Sequence, residues 1–207
     1  MTRRISLLVL LVLTVGLLAG CSGMPLVNQD PDAGNDLGLL AQQEPLLSAL
    51  RAIELIKARD WESLASIVHP QKGLRFTAYP YIDLEKDRVF TTDQVAELDS
   101  DTTVYVWGEY DGSGDPIELT FGEYYGRFVY DVDFAQAPMV GRNHSIGWSN
   151  TINNIEEAYP NGGFIEFHFP EIDPQYGGID WRSLRLVFEQ EGDAWYLVGI
   201  VHAEWTI

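Results

Sequence analysis

Imidazole, carboxylate and guanidinium recur in the last third of this sequence at spacings that bring them together on strands. Glu166 and His168 are two residues apart, as are His202 and Glu204. In an extended chain, residues i and i+2 point to one face. Arg185 falls between these two pairs if the three segments that carry them are neighbouring strands. Histidine with carboxylate holds a metal ion or moves a proton, so Glu166, His168, Arg185, His202 and Glu204 are the candidate site residues. A plainer reading stands beside this one. A solvated sheet face needs polar side chains, and a chain with 31 acidic residues sets Glu beside His by composition alone.

Other motifs fall short of the chemistry they suggest. Asp111-Gly112-Ser113-Gly114-Asp115 has the alternating oxygens of a calcium loop, but that loop then asks for Gly at 116 and Glu at 122. The chain has Pro116, Gly122 and Glu123, so a hairpin turn is expected. Asn143-His144-Ser145-Ile146-Gly147 half-matches a nucleophile elbow but lacks its first glycine and the strand-to-helix setting. His69, before Pro70, is expected to cap the last carbonyls of a helix. Six tryptophans and ten tyrosines could line a sugar-binding surface, but most are expected to serve the core and its edges, and no position or spacing distinguishes the two. No metal site or cofactor is expected.

The elements that would position these residues follow from periodicity. Leu46, Leu47, Leu50, Ile53, Leu55 and Ile56 recur at helical spacing after Glu44-Pro45, and Asp60 suits the N-cap of a short helix carrying Trp61, Leu64, Ala65 and Val68. Strands are predicted at 74–79, 103–107 and 117–120, a short helix from Thr92, and a helix within 121–130. Residues 138–163 are rich in Asn and Gly and hard to read, with a helical turn at Ile155–Ala158. Phe164–Phe169, Leu184–Gln190 and Trp195–Thr206 read as three strands, the last two joined by a hairpin at Glu191-Gly192-Asp193-Ala194. With Gln190 opposite Trp195, Leu184, Leu186, Phe188, Leu197 and Val201 share the core face. Arg185, Val187, Glu189, Tyr196, Val198, Ile200 and His202 then share the other. The predicted fold class is α+β: N-terminal helices packed on one face of a curved, mainly antiparallel sheet. Val187, Tyr196, Val198 and Ile200 would make an apolar strip on the outer face. Such a strip needs cover from the same chain, from a protein partner, or from a second copy in a homodimer.

The chain opens with Arg3 and Arg4, an apolar run from Ile5 to Leu18, and small residues at Ala19 and Gly20, the plan of a secretory signal segment. That run falls short of the roughly 20 residues of a membrane-spanning helix. Leu18-Ala19-Gly20-Cys21 resembles the bacterial lipobox. The resemblance implies cleavage before Cys21 and lipid attachment to its sulfur, hence an extracytoplasmic protein anchored to the cell membrane or envelope. Cys21 is the one cysteine, so no disulfide can form within the chain. Residues 22–36 read as a flexible tether and 37–207 as one domain. Without residues 1–20, 11 basic residues stand against 31 acidic ones, a formal charge of −20. That balance repels nucleic acid and anionic headgroups.

Asp180–Phe188 with Trp195–His202, and also His69–Phe76 and Asn153–Glu156, look like segments of uncharacterised bacterial lipoproteins, and the element order is similar to the NTF2-like cone. Neither resemblance implies an activity. Three readings stay open: a ligand- or protein-binding module, which the absence of a legible catalytic constellation favours; an enzyme with a pocket between helices and sheet; and a structural envelope protein. The residues lining the largest pocket should discriminate between them.

Overall fold

The computed structural model describes residues 45–206, so the expected signal segment, the lipobox-like run to Cys21 and the expected tether lie outside the described residues. Helix α1 (Pro45–Ala58) is followed by α2 (Trp61–Ala65), whose N-cap Asp60 accepts a hydrogen bond from the Ser63 N–H as expected. The buried stripe of α1 differs from the predicted one. Ala49, Ala52, Ile53 and Ile56 face the sheet, while Leu46, Leu47 and Leu50 are exposed. Two alanines at the contact let the helix axis approach the strands closely, which leucines there would prevent.

Strands β1 (Leu74–Thr77) and β2 (Arg88–Phe90) precede helix α3 (Thr92–Ala96), which a Thr91/Gln94 capping box opens. Strands β3 (Val104–Glu109) and β4 (Pro116–Thr120) form a separate hairpin. Helix α4 (Phe121–Tyr124) widens into a π turn, closed by Tyr130 N–H donating to the Tyr125 carbonyl at 2.8 Å. Strand β5 (Met139–Arg142), helix α5 (Ile155–Ala158) and strands β6 (Gly162–Phe169), β7 (Arg182–Glu191) and β8 (Ala194–Glu204) complete the order. The main sheet runs β2-β1-β8-β7-β6-β5, with β1 parallel to β8 and the other pairs antiparallel. The fold is therefore α+β with a mixed six-stranded sheet. Its edge strands, β2 and β5, are too short to leave a period in the sequence.

A bulge in β8 decides which residues face which way. Gln190 pairs with Trp195 and Phe188 with Leu197, as predicted, but Val187 then pairs with Gly199, leaving Val198 as an extra residue. One inserted residue reverses every side chain beyond it. Ile200 therefore joins Leu184, Leu186, Phe188 and Leu197 in the main core, and Val201 moves to the second face with Val187 and Val198. The predicted outer strip of Val187, Tyr196, Val198 and Ile200 does not exist as a surface. Ile200 packs in the main core, and Tyr196 is half-buried 5.7 Å from the His69 ring. Val187 and Val198 lie beneath Ile82, Ile155 and Tyr159 of the same chain.

The second face is thus covered as well, against the expectation of helices on one face only. Its cover is sewn down by polar groups. Asn154 accepts from Ile82 N–H at 2.7 Å and donates to the Ile82 carbonyl at 2.9 Å. Arg75 on β1 donates to the Tyr159 hydroxyl and to the carbonyls of Asp83 and Asp87.

Candidate functional site

Strands β6 and β7 carry a buried polar cluster on the second face. Glu166 pairs across with Arg185, and His168 with Ser183. Glu166 accepts four hydrogen bonds: from Gly147 N–H at 2.8 Å, Ile146 N–H at 3.1 Å, Ser183 Oγ at 2.6 Å and Arg185 Nε at 3.1 Å. These bonds and the guanidinium charge hold a carboxylate that is wholly out of water. Ser183 has one proton and gives it to Glu166, so His168 Nδ1, 2.8 Å from Ser183 Oγ, carries the proton between them. Burial lowers the His168 pKa, which keeps the ring neutral. In a nucleophilic triad the hydroxyl gives its proton towards imidazole. Here it gives it to carboxylate, so this cluster holds strands and a loop together and does not activate Ser183.

That loop, residues 143–154, crosses above the cluster. Gly147 is clamped at both backbone groups: its N–H donates to Glu166, and its carbonyl accepts from Arg185 Nη2 at 3.1 Å. A Cβ at this position would sit 2.4 Å from the Trp181 ring and 2.6 Å from Ser183 Oγ, so only glycine fits. Asn143 starts the loop at φ 49°, a left-handed turn that asparagine tolerates, and its side chain accepts from Phe164 N–H at 2.7 Å. Between these anchors the loop encloses a cleft of about 580 Å³, within the range of small-molecule sites. Arg185 lines its floor. Trp148, 81% exposed, and Asn150 line it from the loop. The Arg185 Nη1 atom is buried with no hydrogen-bond partner, a state that asks for an explanation in a folded protein.

The other two candidates lie elsewhere. The β8 bulge turns His202 and Glu204 to the first face, opposite Glu166, His168 and Arg185, so the predicted five do not converge. His202 is fully buried, set edge-on to Phe128, with Nε2 3.3 Å from Asp131 Oδ2. Glu204 accepts from Arg127 and lies 3.3 Å from Arg182, which also donates to Asp131 at 2.9 Å. Burial alone would raise the Asp131 carboxyl, but the His202 hydrogen bond and the charges of His202 and Arg182 outweigh it and hold it below its usual value.

The remaining motifs resolve simply. Asp111–Asp115 is the β3–β4 turn, closed by Tyr110 N–H donating to the Asp115 carbonyl at 2.8 Å, with Gly112 and Gly114 at positive φ. Ser145 sits in the loop, not on a strand-to-helix elbow. It accepts from Asn153 at 2.7 Å, and among the described residues no histidine or carboxylate hydrogen-bonds to it. His69 caps no carbonyls with its ring: its Nδ1 accepts from the N–H groups of Gln71 and Lys72, because the chain turns back there after Pro70.

Sequence reasoning missed Gly147, Trp148 and Asn154. The available signal was a loop of about 12 residues that is rich in Asn and Ser around one tryptophan, longer than most connections. Nothing local shows that Arg185 rises to meet it. No family model, curated protein or solved structure matches the chain.

Proposed function

We propose that the chain is an extracytoplasmic lipoprotein, held to the membrane through acylated Cys21, whose domain binds a small-molecule ligand in the cleft of loop 143–154. The observation that carries the binding reading is the buried Arg185 guanidinium at the cleft floor, with one nitrogen unpartnered. The chain gives this buried donor no partner, beside a cleft that Arg185 itself lines. The anchor is supported by the lipobox-like Leu18–Cys21 run, and among the described residues no helix is long and apolar enough to cross a membrane. An NTF2-like cone belongs to the same proposal, supported by the helices-first element order and by the bulge that bends β8.

Mass spectrometry of protein extracted from membranes tests both parts. The chain should begin at Cys21 and carry fatty-acyl mass, and a mature chain without lipid mass rules the anchor out. Under native conditions a small molecule from envelope extracts should bind one to one and be lost in Trp148→Ala. Ligands that bind equally well to that variant would place the site elsewhere.

A further inference from the structure

The cleft beside Arg185 has a lining that narrows the class of ligand. Arg185 is the one arginine or lysine among the lining residues, and Glu166 at 3.1 Å already offsets its charge. Glu156 and Glu157, both exposed, add two carboxylates to the wall. An anionic ligand would meet uncompensated negative charge there, in a chain whose formal charge is −18. Much of the wall is amide and hydroxyl, with Asn143, Ser149, Asn150 and Thr151 able both to donate and to accept. That mixture suits ligand groups that do the same, namely hydroxyls. The exposed indole of Trp148 offers a flat apolar face at the same place.

Two further cavities share lining residues with the cleft. A neighbouring cavity of about 490 Å³ shares Thr151 with it and is lined by Tyr79, Tyr81 and Tyr110, and Pro80 between the first two lines the cleft itself. Another cavity, of about 350 Å³, shares Asn143, Glu156 and Phe164 with the cleft. Three hollows that share lining residues, each with aromatic rings in its wall, fit a chain of similar units.

We propose that this groove binds an uncharged, hydroxyl-rich saccharide chain, with one ring against Trp148 and the next units running past Tyr81. The proposal rests on the small-molecule reading of the same cleft and names its ligand class.

Full-length protein in an amine-oxide detergent, free of the sugar head groups that would compete, is titrated by tryptophan fluorescence and calorimetry. The probes are the hexamers of glucose, mannose and N-acetylglucosamine, their monosaccharides, and hexagalacturonate as the charged counterpart. At least one neutral hexamer should saturate one site, about tenfold tighter than its monosaccharide or the uronate. Trp148→Ala should weaken it about tenfold, the order expected of a lost aromatic contact, without lowering the melting temperature. Tyr81→Ala should weaken the hexamer and spare the monosaccharide. Preference for the uronate, affinity unchanged in Trp148→Ala, or no saccharide binding overturns the proposal. If a non-saccharide from the envelope extract still binds in a Trp148-dependent way, the saccharide class alone is wrong. If nothing binds, the binding module falls with it.

Discussion

Glu166 is a charge that the protein has moved out of water and surrounded with donors. Removing one partner of such a buried pair costs more than the pair itself contributes, because the other charge is stranded. Glu166→Gln leaves Arg185 without its counter-ion and puts an NH2 in place of either the oxygen that accepts from Ser183 and Gly147 or the one that accepts from Ile146 and Arg185. Denaturant unfolding should show a loss of about 3–5 kcal/mol. The double variant Glu166→Leu with Arg185→Met should recover most of that loss, since two apolar side chains of similar size leave no stranded charge. A double variant as unstable as the single one would mean that loop 143–154 depends on these particular hydrogen bonds. The five candidate residues were legible as types and as pairs. Their division between two faces was not, because one unpaired valine in β8 reverses the parity on which the pairing was read.

At the scale of elements, the second face of the sheet is closed by pieces with little local preference for structure: the segment around Ile82, the single turn of α5, and Tyr159. Their order comes from side-chain amides standing in for backbone partners. Asn154→Ala removes both bonds to Ile82 and leaves a buried N–H and carbonyl unsatisfied, a cost of about 1–3 kcal/mol. Amide hydrogen exchange should speed up first in residues 80–87 and in α5, with β6–β8 still protected. Uniform loss of protection across the sheet would show that the cover and the sheet unfold as one unit. Short helices α2 and α3 were readable because their caps are local chemistry, Asp60 with Ser63 and Thr91 with Gln94. The edge strands β2 and β5 were not, since three or four residues paired on one side leave no alternation to detect.

For the whole molecule, the fate of the apolar strip in β7 and β8 bears on self-association. Val187 and Val198 are buried beneath the chain's own cover, and Ile200 packs in the main core. Ile200→Glu would place a charge among Leu184, Phe188 and their neighbours, with a loss of about 4 kcal/mol or more. Thermal unfolding should show that loss, while sedimentation of the folded fraction should show the same species as wild type. A variant with unchanged melting that turns a dimer into a monomer would restore the strip as an interface.

What the sequence determined by itself was local or compositional. It includes the α+β class, most elements, the hairpin turn at Asp111–Asp115, the Gln190–Trp195 register, and the net acidity of the chain. Each depends on side-chain periodicity, caps or charge, which act over a few residues or sum over the whole chain. The tertiary structure decided the rest. The Val198 bulge arises from pairing two strands, and it separates His202 from Arg185. Which stripe of α1 is buried depends on how near the sheet lets the helix come. The cleft exists because Gly147, 38 residues before Arg185, has no side chain to keep its backbone away from Trp181 and Ser183. Contacts between segments so far apart in sequence leave no period behind, so the site became visible only once the sheet had brought them together.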